Sequence, residues 1–491
     1  MIQGTGSDVG KSLLVAGLCR AYAKRGLRVK PFKPQNMSNN AAVTIEGGEI
    51  GRAQALQAKA AGVELSVHMN PVLLKPQSET GAQVVVQGKV EGTAKATDFH
   101  ALKPKLLPRV QESFRIVAGD ADLILVEGAG SPAEANLRQG DIANMGFAEA
   151  AAVPVALCAD IERGGVLARL IGTHALLSQS ERDFIRGYIV NTFRRDPGLF
   201  VDALGIIKVK TEMDCFGIVP FFDAARLLPQ EDAMSLASEK RINEDAVIKI
   251  AVPRLARIAN FDDLDPLAAE PGVGVDIIQP GQPIPGDADV VIIPGSKSTL
   301  ADLALIREEG WDVDISAHCR RGGLVVGLCG GYQILGRHLK DPDGIEGPPE
   351  EAEGLGLLDI ETVLEGEKTL TRASGVEIES GATVQGYEMH IGRTTGPGLD
   401  NPFLTIEGQT EGARSRDGRV MGTYLHGLFA SDDFRHAFLS WLGHKGGVAY
   451  DTQVEDTLDG LAAHLEENLD LDALLEAAAP VGEAQGIRAT G

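Results

Sequence analysis

The sequence predicts an α/β protein of two domains, each built on a mostly parallel sheet flanked by helices. Three observations carry that prediction. The chain has 491 residues, more than one domain of about 100–200 residues accommodates. Short β-branched runs alternate with longer amphipathic stretches, the pattern of strand-helix-strand units. The alternation then stops between residues 221 and 246, where strand signals give way to Pro229-Gln230-Glu231-Asp232 and Glu239-Lys240-Arg241, and afterwards it begins again.

Taken in order, the first domain covers residues 1–225, with strands expected at 28–32, 83–86, 123–126, 153–158, 185–190 and 217–219. Helices at 12–24, 52–61, 106–117 and 166–177 lie between them. Only Met1-Ile2-Gln3 precede the first glycine loop, so a strand there must be very short. Residues 226–246 read as a linker. The second domain covers 247–445, with strands expected at 247–252, 274–278, 290–293 and 324–327 and a surface loop at 341–353. Residues 446–491 complete the chain as a C-terminal helix and tail, fraying over 478–491.

Composition narrows the function. With 46 Lys and Arg against 69 Asp and Glu the net charge is −23. That disfavours general nucleic-acid or anionic-membrane binding, because both rest on Lys and Arg attraction to phosphates. An anionic substrate would need basic groups concentrated locally. The cysteines Cys19, Cys158, Cys215, Cys319 and Cys329 are scattered, with no C-x-x-C pair, so neither a disulfide framework nor a zinc cage is expected. No run of about 18 apolar residues appears and the N-terminus reads as a glycine loop, not a signal peptide. A soluble protein of the reducing cytoplasm is expected.

Two segments carry chemistry. Gly4-Thr5-Gly6-Ser7-Asp8-Val9-Gly10-Lys11-Ser12 runs into an apolar helix. A triphosphate needs inward backbone N–H groups, an ammonium and a hydroxyl for Mg²⁺, and Gly10, Lys11 and Ser12 supply these at a helix N-terminus. Glu127, ending the strand at 123–126, is placed to hold the metal, and Lys33 ends another strand where ligand sites form. Asp141 reads equally as an N-cap for 142–150. In the second domain Leu324-Val325-Val326-Gly327-Leu328-Cys329-Gly330-Gly331 reads as strand, sharp turn and helix. Such an elbow presents a nucleophile where the helix dipole favours thiolate. A base is also required, and His426 in Tyr424-Leu425-His426-Gly427 is the best candidate, with His390 second. Backbone amides around Gly295 and Gly330 are candidates to stabilise an oxyanion.

The first domain resembles the dethiobiotin synthetase-type ATP-binding domain, whose phosphate loop starts Gly-Thr as Gly4-Thr5 does here. Further runs are similar to the cobyric acid synthase family: Gln35-Asn36-Met37-Ser38, Gly47-Gly48-Glu49-Ile50-Gly51-Arg52-Ala53-Gln54, Asn70-Pro71-Val72-Leu73-Leu74-Lys75-Pro76, Glu127-Gly128-Ala129-Gly130-Ser131-Pro132 and Asp141-Ile142-Ala143-Asn144-Met145-Gly146. Residues 247–445 resemble a flavodoxin-like class I glutamine amidotransferase of the same family. The resemblance implies that Glu49 and Glu127 join Ser12 around Mg²⁺, that Lys33 faces phosphate and that Asn191 recognises adenine. It also implies that Asp141 helps bind the intermediate or metal. The commoner amidotransferase carries a Glu two residues after the His, where this chain has Leu428. The resemblance therefore implies a Cys329–His426 dyad without a third carboxylate and a slow glutaminase, with Glu388 as a partial substitute.

The implied activity is ATP- and glutamine-dependent amidation of four peripheral carboxylates of adenosylcobyrinic acid a,c-diamide to adenosylcobyric acid, through an acyl phosphate and released ammonia. Lys75, Arg52 and Arg393 are candidates for the carboxylate-rimmed corrin. A homo-oligomer is compatible with this reading. The nearest alternative is the sister enzyme that amidates the a and c side chains of cobyrinic acid. An alternative of another class is a partition or positioning ATPase, whose second lysine would fall at Gly6. A third is an amidotransferase half kept as an inactive scaffold.

Overall fold

The computed structural model describes residues 1–77, 81–194, 197–229, 246–366 and 368–480. In the N-terminal domain the strands Ile2–Gly4, Val155–Asp160, Ile185–Phe193 and Asp214–Pro220 pair in that order, all parallel. Val29–Phe32 pairs in parallel with Leu123–Val126, and a parallel bridge between Ile2 and Glu127 joins the two groups. Every residue of Val155–Asp160 is buried, as expected of a parallel strand covered by helices on both faces. Because the strands run the same way, the residues that follow them (the glycine loop after Gly4, Lys33 and Glu127) gather at one edge. That edge is where open parallel sheets bind ligands.

The strand expected at 83–86 forms as Gly81–Val86 but lies outside this layer. It pairs antiparallel with both Val72–Pro76 and Lys89–Lys95. The reason is a two-residue turn at Gln87-Gly88, both with positive φ, which returns the chain on itself where a parallel strand would need a long crossover. The helix expected near the end forms as Tyr450–Asn468 and packs back on the N-terminal domain. Its Leu458, Leu461 and Leu465 share a core with Leu14 and Leu18 of helix Lys11–Lys24.

The C-terminal domain holds a six-stranded sheet in the order Val273–Ile278, Ile248–Pro253, Val290–Ile293, Leu324–Leu328, Val420–Thr423, Ala413–Arg414, parallel except for the last pair. The expected strands are there, and a second sheet that the sequence reading did not contain stands beside them. In it Thr383–His390 pairs antiparallel with Thr369–Glu377 and with Leu425–His426. The loop expected at 341–353 includes the strand Glu350–Glu353, paired with His338–Asp341. The domains meet along an apolar seam in which Met389 packs with Ala41, Val43, Leu73 and Val85. A short helix Asp223–Leu227 opens the expected linker; residues 230–245 of that linker, 78–80 and 481–491 of the tail lie outside the described residues. Among the described residues no helix is long and apolar enough to cross a membrane.

Candidate active site

The phosphate loop closes on its own backbone. Gly10 precedes helix Lys11–Lys24 at φ 81°, and a side chain there would also meet Asn191 Nδ2 at 2.4 Å. A Cβ on Gly4 would lie 2.7 Å from the Gly6 carbonyl and 2.8 Å from Lys11 Nζ. Both positions therefore demand glycine. The Thr5 N–H donates to the Cys158 carbonyl at 2.9 Å. Lys11 Nζ donates to the Gly6 and Gly130 carbonyls at 3.1 and 3.3 Å, spanning from the loop to the segment after Glu127.

Glu127 is the hub. Its Oε1 accepts from Ser12 Oγ at 2.7 Å and Lys33 Nζ at 2.8 Å, and its Oε2 accepts from Gln57 Nε2 at 2.6 Å. Burial alone would raise this carboxyl, but Lys33 and the other donors hold it below the usual carboxylate range. Gly10, Lys11, Ser12, Lys33, Glu127 and Gly130 line one cleft of about 720 Å³, within the roughly 300–1,000 Å³ of ordinary small-ligand pockets. The side chain of Asn191, expected at adenine, donates to the Val9 carbonyl at 2.9 Å and so fastens the loop.

Two residues expected here, Glu49 and Asp141, are bonded to other partners. Glu49 is fully buried, but it accepts from Lys75 at 2.8 Å and from Lys368 of the other domain at 2.7 Å. From the short strand Glu49–Gly51 it thus reaches the domain seam. The two ammonium groups drive its carboxyl strongly down, while burial pushes Lys368 down to about 7 despite Glu49. Asp141 spends both oxygens on the N–H groups of Ala143, Asn144 and Gly146 at 2.8, 3.1 and 3.0 Å, folding the loop ahead of helix Met145–Ala150, whose N-cap is Asn144 rather than the expected Asp141.

In the C-terminal domain Cys329 ends strand Leu324–Leu328 at φ 51° and ψ −108°, just before the short helix Gly330–Ile334. A non-glycine residue in such a region costs on the order of 1–3 kcal/mol, and here the strain turns the thiol into a cavity. That cavity, about 50 Å³, is lined by Cys329, His426, Gly295 and Gly330 among others. The two glycine turns touch: a Cβ on Gly330 would lie 3.0 Å from the Ser296 nitrogen, and one on Gly295 3.2 Å from His426 Cε1. His390 also faces the cavity, its ring stacked on Tyr424 at 3.7 Å.

The expected dyad acquires a third member. His426 Nδ1 lies 2.7 Å from Asp263 Oδ2, and Asp263 Oδ1 accepts from the Gly427 N–H at 2.6 Å. Burial would lower the imidazole pKa, but Asp263 and the hydrogen-bonded Cys329 outweigh it and lift it to about 10. Glu388, the expected substitute, sits 3.8 Å from His390 instead. Asp263 was missed because it lies 163 residues from His426. The available signal was an acidic pair, Asp262-Asp263, in the segment following Ile248–Pro253, the first strand of the C-terminal domain, at the edge where ligand sites form.

A phosphate loop bonded to a strand-end carboxylate, joined to a Cys-His-Asp site behind an elbow, defines a glutamine-dependent, amide-forming ligase with a nucleotide-binding domain. Residues 1–236 match the model of the CobQ/CobB/MinD/ParA nucleotide binding domain, and 249–434 that of the CobB/CobQ-like glutamine amidotransferase domain. The chain is 57% identical over 476 residues to cobyric acid synthase of Jannaschia sp. (strain CCS1), covering 97% of this chain and 98% of that one. It is 58% identical over 481 residues to the enzyme of Ruegeria sp. (strain TM1040), covering 98% and 99%, and 58% over 483 to that of Methylorubrum populi, covering 98% and 99%. The chain belongs to the cobyric acid synthase family, ligases of cobalamin biosynthesis.

Proposed function

We propose that the chain amidates the four remaining peripheral carboxylates of adenosylcobyrinic acid a,c-diamide with ammonia that it cuts from glutamine. The single observation that carries this reading is the placement of the thiol cavity: Asn39 and Lys75 of the N-terminal domain form part of its wall. Nitrogen released at Cys329 thus emerges against the synthetase half.

The Cys329 thiolate attacks the glutamine side-chain carbonyl, and the oxyanion meets the turns of Gly295 and Gly330. His426, held in one tautomer by Asp263, gives its proton to the leaving nitrogen, and ammonia departs. Water then hydrolyses the thioester to glutamate and returns the thiol. Lys297, which lines the same cavity, suits the glutamine α-carboxylate.

In the other half a substrate carboxylate attacks the terminal phosphoryl group of ATP, leaving ADP and an acyl phosphate. Ammonia displaces phosphate, and a carboxamide remains. Lys11 and the amides of the loop bind the phosphates, and Lys33 compensates their charge. Ser12 and Glu127 present hard oxygens 2.7 Å apart in the cleft, a fit for Mg²⁺ completed by substrate phosphates. Held there, the ion would supply charge neutralisation at the phosphates; Glu49 would have to leave Lys75 and Lys368 to join it.

Of the three basic residues considered for the corrin, Lys75 and Arg52 are spent on ion pairs with Glu49 and Asp262, and Arg393 pairs with Glu365 on the surface. The test is turnover of the a,c-diamide against cobyrinic acid with ATP, Mg²⁺ and glutamine. The a,c-diamide should gain four carboxamides; amidation of cobyrinic acid alone would assign the sister reaction. Heavy-oxygen label in the carboxylates should appear in the released phosphate.

A further inference from the structure

Arg52 opens helix Arg52–Ala61 of the N-terminal domain, yet its guanidinium is built into the wall behind His426. Its Nη2 donates to the Tyr387 hydroxyl at 2.5 Å and lies 2.7 Å from Asp262 Oδ2. Tyr387 is the cross-strand partner of His426, and its ring stacks on the imidazole at 5.3 Å and 18°. Asp262 is the chain neighbour of Asp263, which holds His426 Nδ1. Arg52 thus grips both supports of the imidazole: the ring that covers its face and the acidic segment that fixes its tautomer. We propose that Arg52 is a positioning residue for glutamine hydrolysis, supplied by the ATP-binding domain, so that the glutaminase site is complete only across the domain boundary.

The chemistry demands such a cation. Asp262 and Asp263 are adjacent, both buried or nearly so, and two carboxylates against one imidazole would leave a charge unpaired. The two N–H groups of one guanidinium nitrogen, Nη2, hold the carboxylate and the phenol at once, and the planar guanidinium fixes their directions as a freely rotating lysine ammonium does not. The same helix reaches the other site: Gln57 donates to Glu127 at 2.6 Å and to the Ser12 carbonyl at 3.2 Å. The segment that fixes His426 is therefore the segment that braces the phosphate loop's carboxylate.

The inference rests on the assignment of Cys329 and His426 to glutamine hydrolysis, so glutamine-driven and ammonia-driven amidation by the unaltered chain are measured first. Absence of the glutamine-driven reaction there would count against that assignment. In full-length Arg52→Met the ratio of glutamine-driven to ammonia-driven amidation should fall by about 10–100-fold, the size usual for a group that orients a reacting side chain. The charged and titratable groups around His426 are Asp263, Cys329, Asp262, Arg52 and Tyr387. Deleting a cation makes each proton harder to lose, so both limbs of the glutaminase pH profile should move to higher pH. Arg52→Lys should return the profile while recovering the rate only in part. Tyr387→Phe, which keeps the stacked ring and loses the hydroxyl, should lower the same ratio less. An unchanged ratio and profile, or both rates falling together with an unmoved profile, overturns the proposal.

Discussion

The phosphate-loop cleft and the thiol cavity are both organised around a buried carboxylate, but they recruit it differently. Glu127 takes its donors Ser12, Lys33 and Gln57 from one domain, each near the tip of a parallel strand or on the helix beside it. Asp263 meets His426 across 163 residues, and the segment that carries it is braced by Arg52 from the other domain. The first site is a property of one sheet edge. The second is a property of the whole molecule, so damage far from Cys329 in sequence should silence it while the first site continues to work.

The sharpest way to separate the two is to break each in turn. Lys11→Met removes the ammonium that spans the loop, and amidation should fall by about 10³-fold or more with either nitrogen donor, as when a phosphoryl-clamping cation is lost. Asp263→Asn should fall only with glutamine. The loss should be about 10²–10³-fold, less than the ~10⁴ of a serine triad, because a thiolate is intrinsically the stronger nucleophile. Steady-state rates with glutamine and with ammonium salts check both; equal losses with the two donors in Asp263→Asn would contradict the division drawn here.

Stability should follow the same contrast. The pKa of His426 is raised from 6.5 to about 10 in the folded chain. A raised folded value contributes stability that is complete below the unfolded pKa and is lost as pH climbs toward the folded one. The thermal midpoint should therefore decline between about pH 6.5 and pH 10 more steeply in the unaltered chain than in His426→Asn. The smallest effect belongs to Arg393→Ala. Its partner Glu365 is on the surface, with the two side chains 65% and 39% exposed, so melting should register less than about 0.5 kcal/mol.

What could be read from the sequence follows from how local each feature is. The loop from Gly4 to Ser12 and the elbow at Cys329 are contiguous, and each needs small residues where the backbone has positive φ or no room for a side chain. The parallel strands announced themselves as β-branched runs. Asp263 left no such trace, because its role comes from a contact between distant segments. Glu49 sat in a recognisable motif, yet its two lysines, one from each domain, appear only when the domains meet. Asp141 was ambiguous by nature, since a capping carboxylate and a ligand-binding one look alike until their partners are seen.

The central claim is that sulfur chemistry at Cys329 feeds nitrogen to the nucleotide half of the same chain. The direct measurement is amidation of the a,c-diamide by Cys329→Ser with glutamine or with ammonium as sole donor. Ammonium should support product formation and glutamine should not; product formed from glutamine at the unaltered rate would exclude Cys329 as the nucleophile.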